Sequence, residues 1–390
     1  MNPLYLLFLL LPLAFLSGWW AARKRAVQHS GARVSELSSS YFRGLNYLLN
    51  EQPDKAIEIF LQLAESNRDA VETHLALGNL FRRRGEMERA IRVHQNLISR
   101  PKLNNELKTI ALLELGEDYM RAGLLDRAET LFADLVAMNA QAPSALQHLI
   151  SICQHERDWH KAIAYSRQLE GLIDESQGLQ IAHFFCELAE RSHAHGALDE
   201  AHEYLQQALQ AHPDFIRALI LEAGFHVQHG DMEQAVLTYE HAIEADIEYI
   251  PEILPPLLDC YARTQQMDRA ERTLHRSLEQ YSGITPAIAL ARLYVSRDGE
   301  KQAIRFLTAQ LREKPSVRGL RELIETTLRS SRGEARDNLM LLSDLTRALL
   351  EGRAMYRCLH CGFGARAHHW QCPSCKRWST VRPVHGLGSE

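Results

Sequence analysis

The stretch Leu77-Gly78-Asn79-Leu80-Phe81-Arg82-Arg83-Arg84-Gly85-Glu86-Met87-Glu88-Arg89-Ala90 decides the fold. Gly78 is small enough to let two helices approach closely, and Phe81, one turn later, fills the space beside the contact. Gly85 supplies the positive φ that ends a first helix, and Met87 to Ala90 opens a second with an acidic residue in its first turn. The stretch therefore reads as the turn of a helical hairpin.

Working outward, the closing alanine recurs as Ala56, Ala90, Ala128, Ala162, Ala201, Ala235, Ala270 and Ala303, at intervals of 34, 38, 34, 39, 34, 35 and 33 residues. Twelve residues before these alanines stands a small-residue column, Gly44, Gly78, Gly116, Ala189, Ala223 and Ala291, broken by Ile150 and Leu258. Nine residues before them come Tyr47, Phe81, Tyr119, Tyr261 and Tyr294, and five before them Gly85, Gly123, Gly196 and Gly230. An irregular bundle has no reason to keep such a period, so the chain is a repeat protein of stacked helical hairpins. The longer intervals place extended connections near residues 101–106 and 171–180. The pattern weakens in the fourth unit, where Ile150 and Cys153 replace the small and aromatic residues.

A hairpin that cannot bury its apolar face alone must stack on neighbours, and stacking leaves an extended surface suited to a peptide or a partner helix. The His, Arg and Glu residues scattered through the repeats read as a solvated face, and none is nominated as catalytic. No P-loop, Gly-x-Ser-x-Gly, His-Glu-x-x-His or helically spaced catalytic acid pair occurs, so no enzyme is expected. Residues 317–353 continue as capping helices, with apolar Leu320, Leu323, Ile324 and Leu328, then Leu339, Leu342, Leu345 and Leu349. The break between them falls at residues 331–334.

Before the repeats, residues 3–22 carry no charge and are rich in Leu and Phe, long enough as a helix to span the roughly 30 Å hydrocarbon core. Trp19 and Trp20 sit where an interfacial belt belongs, and Arg23, Lys24 and Arg25 follow. A cleaved signal peptide has its positive charge before the apolar run, and here the order is reversed. The positive-inside rule then puts the N-terminus outside and everything after residue 25 in the cytoplasm.

A composition of 46% hydrophobic and 24% charged residues is that of folded globular material rather than a disordered chain. The net charge of −5 is spread without a basic face, which argues against nucleic-acid binding. Three of the seven cysteines, Cys153, Cys186 and Cys260, stand alone in helical patterns and read as small buried hydrophobes in a reducing compartment.

The other four form Tyr356-Arg-Cys358-Leu-His-Cys361-Gly362-Phe363 and Cys372-Pro373-Ser-Cys375. Two Cys-x-x-Cys turns at this spacing set four thiolates in a tetrahedron, the closed geometry of one structural zinc or a single iron. The expected ligands are Cys358, Cys361, Cys372 and Cys375. His360, His368 and His369 are spare beside a filled site, and Trp370 and Trp378 are expected to pack a very small core. Zinc has no accessible redox change whereas iron in a four-sulfur site carries electrons, so an iron-site electron-transfer or redox-sensing membrane protein is the alternative reading.

The eight hairpin units resemble the tetratricopeptide repeat, over about residues 37–316. Joined to the N-terminal apolar run and to Tyr356-Arg-Cys-x-x-Cys-Gly-Phe with Cys372-Pro-Ser-Cys-Lys-Arg-Trp378-Ser-Thr380, they resemble the lipopolysaccharide assembly protein B family over the whole chain. The expected fold is all-α: a tetratricopeptide-repeat solenoid with one transmembrane helix (1–22), a juxtamembrane linker (23–36), repeats (37–316), capping helices (317–353) and a rubredoxin-like or zinc-ribbon domain (354–390). The resemblance implies a single-pass protein of the bacterial inner membrane, its N-terminus periplasmic and its bulk cytoplasmic. It implies an adaptor that regulates lipopolysaccharide synthesis by presenting the lipid A pathway deacetylase to an FtsH-type membrane protease, and that answers to an inner-membrane lipopolysaccharide sensor or other assembly proteins. Self-association stays open. The same resemblance carries over Cys358, Cys361, Cys372 and Cys375 as ligands of one metal ion.

Overall fold

The computed structural model describes residues 40–386 apart from 51, 67–70 and 102. The expected anchor and linker at 1–36 lie outside the described residues, and among those described no helix is long and apolar enough to cross a membrane.

The chain divides into two compact units, one running to residue 158 with residues 171–173, the other formed by residues 159–170 and 174–390. The first unit holds α1 (residues 40–49), α2 (Pro53–Ser66), α3 (Val71–Arg83), α4 (Met87–Ile98), α5 (Asn105–Arg121), α6 (Leu125–Ala137) and α7 (Ala142–Glu156). Every repeating alanine that falls here, Ala56, Ala90 and Ala128, is fully buried. The small-residue column explains itself by what faces it. A Cβ at Gly44 would lie 2.9 Å from the Phe60 ring, at Gly78 2.3 Å from the His94 ring and at Gly116 2.5 Å from the Phe132 ring. Each ring stands four residues after its repeating alanine, one turn along the second helix, so ring and glycine form one interlocking pair per hairpin.

Not every charged residue of this unit is solvated. His94 and Asp118 are completely buried, with Nδ1 2.5 Å from the carboxylate, and Asp118 accepts from Arg82 at 2.9 Å. Arg82 also donates to Glu114 at 2.6 Å, tying α3 to α5. Period alone cannot reveal such a network, because it depends on partners one repeat away.

The second unit begins with α8 (Trp159–Glu170) and continues through α9 (Gly178–Ala194), α10 (Leu198–Ala211), α11 (Ile216–His229), α12 (Met232–Ala245), α13 (Ile250–Arg263), α14 (Met267–Gln280), α15 (Thr285–Arg297) and α16 (Glu300–Glu313). A single 3₁₀ turn, Ile247–Tyr249, precedes α13. Buried side chains from Ile216 to Leu293 form one continuous core, which includes Cys260. Cys153 and Cys186 are equally buried, as small apolar residues are. The long connections fall where the repeat intervals stretch, between Ile98 and Asn105 and between Glu170 and Gly178.

The turns of the hairpins are alike even where glycine is missing. Gly85 and Gly230 hold φ of 82° and 90°, and Arg157 and Gln265 occupy the same turn position with φ of 58° and 57°. Stacking of the flanking helices imposes the left-handed residue at a cost glycine would avoid.

The capping helices are α17 (Val317–Ser330) and α18 (Glu334–Leu350). Here the apolar reading of the sequence does not match the burial. α18 packs on α17, burying Ser343 and Thr346, and leaves Leu341, Leu342, Leu345 and Leu349 about half exposed, because among the described residues no further hairpin stacks on it. A three-stranded antiparallel sheet closes the chain, with β1 (Tyr356–Cys358) between β2 (Gly364–Ala365) and β3 (Val381–Pro383). Tyr356 lies opposite Ala365 on one side and Pro383 on the other, and Cys358 opposite Val381. The architecture is thus an all-α tetratricopeptide-type solenoid with a small rubredoxin-like ribbon.

Candidate metal centre

Each Cys-x-x-Cys segment folds as the same turn. In the first, the Gly362 amide donates to the Cys358 carbonyl at 2.9 Å and the Cys358 amide to Phe363 at 2.8 Å. In the second, Lys376 donates to Cys372 at 2.9 Å and Cys372 to Arg377 at 2.8 Å. The residue after each second cysteine is left-handed, Gly362 at φ 76° and Lys376 at φ 59°. The two turns face each other and bring the four sulfurs of Cys358, Cys361, Cys372 and Cys375 within 4.8 Å of one another.

Two cross-turn sulfur pairs, Cys358 with Cys375 and Cys361 with Cys372, are each 3.7 Å apart. A tetrahedron with metal–sulfur bonds of about 2.3 Å has edges of about 3.8 Å, so this donor set fits one zinc or iron ion. The electrostatics prepare it. Burial raises the Cys358 thiol, but the Thr380 hydroxyl and the backbone amides of Cys361 and His360 outweigh that and bring it down to about 6. The Phe363 amide lowers Cys361 in the same way. At Cys375 the Arg377 amide pulls downward, while burial and the three neighbouring sulfurs hold the thiol at about 11. Four crowded sulfurs resist full ionisation until a cation neutralises them.

The spare histidines stay out of the cluster. His368 is edge-on to Trp370 at 4.5 Å, and burial first of all lowers it to about 4. The two tryptophans depart from the expected small core. The ribbon's own buried residues are Tyr356, Cys358, Ala365, Cys372, Val381 and Pro383, while Trp370 and Trp378 point outward against the helices.

Trp378 stacks on His183 of α9 at 4.5 Å and meets Trp159 of α8 edge-on at 6.4 Å. Trp370 stacks on Tyr249 at 5.2 Å. Between them lies Arg217 of α11, only 3% exposed, its guanidinium 5.8 Å from the Trp370 ring and 5.6 Å from Trp378. Glu187 and Glu190 neutralise it at 2.7 and 2.5 Å. His183, kept neutral by burial above all, meets the Ser379 hydroxyl at 2.7 Å. Arg382 pairs with Asp246 at 2.7 Å, His385 with Glu248 at 2.6 Å, and the Tyr356 hydroxyl donates to Glu252. The ribbon is clasped to α8, α9, α11 and the turn before α13.

The sequence reading missed His183, Arg217 and Tyr249 as this seat. His183 and Arg217 share one register, 34 residues apart in successive units, but the residue type does not repeat there, and only a cation flanked in space by two acids and two indoles identifies the seat.

Comparison with known proteins adds to this geometry. The rubredoxin metal binding domain family matches residues 356–383, and tetratricopeptide repeat families match residues 73–106 and 192–249. Lipopolysaccharide assembly protein B of Escherichia coli strain K12 is 38% identical over 385 residues, 98% of this chain and 99% of that protein. The protein of the same name from Haemophilus influenzae strain Rd is 34% identical over 388 residues, 97% of this chain and 98% of that one. Among solved structures, the C-terminal part of a repeat protein from Cytophaga hutchinsonii covers 68% of this chain and 98% of its own at 16% identity, with a TM-score of 0.40. With relatives of 34% and 38% identity covering nearly its full length and the rubredoxin metal binding domain matched at its end, the chain belongs to the lipopolysaccharide assembly protein B family.

Proposed function

We propose that the protein is an inner-membrane adaptor that regulates lipopolysaccharide synthesis by bringing the lipid A pathway deacetylase to an FtsH-type membrane protease. In this reading the apolar residues 3–22 anchor it with the N-terminus periplasmic and the bulk cytoplasmic. Cys358, Cys361, Cys372 and Cys375 hold one metal ion as thiolates, and hairpins and ribbon supply the contacts. The relatives are named as assembly proteins, and this chain's own match to tetratricopeptide repeats points to a non-catalytic kind of protein.

One observation carries the reading. The reactive sulfurs are gathered into a single fourfold cluster, and the ribbon that bears them is fastened to the helices by Trp370, Trp378 and Arg382. Four thiolates saturate a tetrahedral ion and leave it no open position for a substrate, so what the fold offers is surface. Tethering then raises the local concentration of client beside protease. Removing residues 1–22 tests this: the deacetylase half-life, measured at native expression, lengthens toward that of cells lacking the protein. Normal turnover restored by the truncated chain contradicts the tethering.

The electron-transfer alternative is favoured only by the exposure of Cys361 at the edge of the cluster. Metal analysis and visible absorption of aerobically purified protein separate the two, since zinc without a visible band rules out redox chemistry.

A further inference from the structure

At the turn ends of two successive hairpins in the second unit lies a cleft of about 140 Å³, lined from α9, α10, α11 and the turn after α11 and by no residue of the ribbon. Six of its lining side chains are of metal-ligating type: His193, His202, Glu222, His226, His229 and Asp231. His226 stands nine residues before Ala235, in the column where five other units carry Tyr or Phe, so packing alone does not call for an imidazole there. His193 lies in the last turn of α9, and His226 and His229 in the last turn of α11. The carbonyl ends of two helices therefore meet at the cleft, and that end of a helix favours a cation.

The nitrogens are also prepared to ligate. His229 donates from Nδ1 to the Phe225 carbonyl at 2.6 Å, which leaves Nε2 of the neutral ring with its lone pair free, the arrangement of a metal-binding histidine. His193 lies flat on the Phe225 ring at 3.9 Å and 6°, a contact that fixes its plane without engaging its nitrogens. Its ring centre is 6.3 Å from that of His229. Zinc–nitrogen bonds of about 2.1 Å keep two ligand rings about 5–6.5 Å apart, so one ion reaches both. His226 is three residues from His229 on the same helix face. The Asp231 amide donates to the His226 carbonyl at 2.9 Å and brings Asp231 back beside it. His202 differs, since its Nε2 meets the Gln206 amide at 2.9 Å and its Nδ1 faces Glu222 at 3.7 Å. Among the described residues only the four cysteines already hold their donor atoms within 4.8 Å of one another. Here His193 and His226 are half-buried and His229 is exposed, so rotation between staggered wells closes the remaining distance.

We propose that His193, His226, His229 and Asp231 bind a second metal ion, a zinc held by three imidazole nitrogens and one carboxylate oxygen. Nitrogen with carboxylate oxygen is a donor set that suits four-coordinate zinc. The ion joins α9 to α11 and so staples two hairpins whose stacking otherwise rests on apolar contact alone. The inference depends neither on which proteins the adaptor joins nor on which metal the cysteines hold.

The test titrates zinc into the untagged full chain in detergent, with the cysteine site already filled, against a fluorescent zinc indicator at about pH 7.5. One further equivalent binds with a Kd below about 5 µM, and at about pH 5.5 it binds at least about tenfold more weakly because protons compete for the imidazoles. A His226→Ala, His229→Ala double variant weakens it about a hundredfold or more, His193→Ala and Asp231→Asn each about tenfold or more, and His202→Ala by less than about twofold. Free zinc raises the unfolding midpoint of the second unit in the unaltered chain and not in the double variant. Absence of a further equivalent, or one that survives the double variant, overturns the proposal. So does a Kd weaker than about 5 µM, which marks an adventitious ion only, and so does dependence on His202 in place of His193. Asp231→Asn alters one exposed side chain and keeps the test decisive even if the double variant fails to fold.

Discussion

The hairpin array and the ribbon reach stability by opposite routes. In the array three successive hairpins of the first unit repeat one packing solution, a glycine against a ring, and in the second unit one core runs from Ile216 to Leu293. Burial of that kind is shared among many side chains and summed along neighbours. The ribbon buries only Tyr356, Cys358, Ala365, Cys372, Val381 and Pro383, two of which are cysteines of the sulfur cluster. A core so small cannot offset chain entropy unaided, so the ribbon depends on an ion inside it and on a seat outside it. The difference teaches where each region is fragile: the array to lost volume, the ribbon to lost ligands or lost partners.

The largest effect expected follows from removing two ligands. A Cys372→Ser, Cys375→Ser double variant loses the metal and unfolds the ribbon entirely, while far-UV circular dichroism keeps the helical signal of the array. Limited proteolysis then cuts within residues 354–386 first. Next comes the array's own weak point. Phe132→Ala removes a completely buried ring and costs about 3–5 kcal/mol, seen as a lower midpoint for the first unit in denaturant, with metal content unchanged.

Trp378→Ala attacks the seat alone. It removes the stack on His183 and the face toward Arg217, costs about 2 kcal/mol, and raises protease sensitivity of the ribbon without lowering the metal content. Gly230→Ala, at φ 90° with open space around it, costs about 1 kcal/mol from the backbone alone and leaves the ribbon untouched. If the Trp378 and Gly230 variants behave alike, the clasp adds nothing beyond ordinary packing.

The two regions also differ in how far the sequence discloses them. Periodicity shows the hairpins because every unit repeats the same alanine, and the ligand spacing shows the cysteine turns because a tetrahedron tolerates few alternatives. What both signals omit is the contact between unlike elements. Trp370 and Trp378 read as the core of their own small domain, and only the placement of Tyr249, His183 and Arg217 reveals that they face outward. The buried His94–Asp118–Arg82 network is hidden for the same reason, since His94 stands in the ring column but its partners come from two other helices and follow no column. In α18 the leucine pattern promises burial, but whether a neighbour exists to receive it is not written in the helix itself.

The most direct test of the account is hydrogen–deuterium exchange of the full chain before and after the metal is stripped with a chelator. Loss of metal is predicted to release protection across residues 354–386 and at the faces of α9 and α11 around His183 and Arg217, with residues 105–137 unchanged. A ribbon that stays protected without its metal, or an array that opens together with it, contradicts the claim that a metal-clamped ribbon is clasped onto an independently stable stack of hairpins.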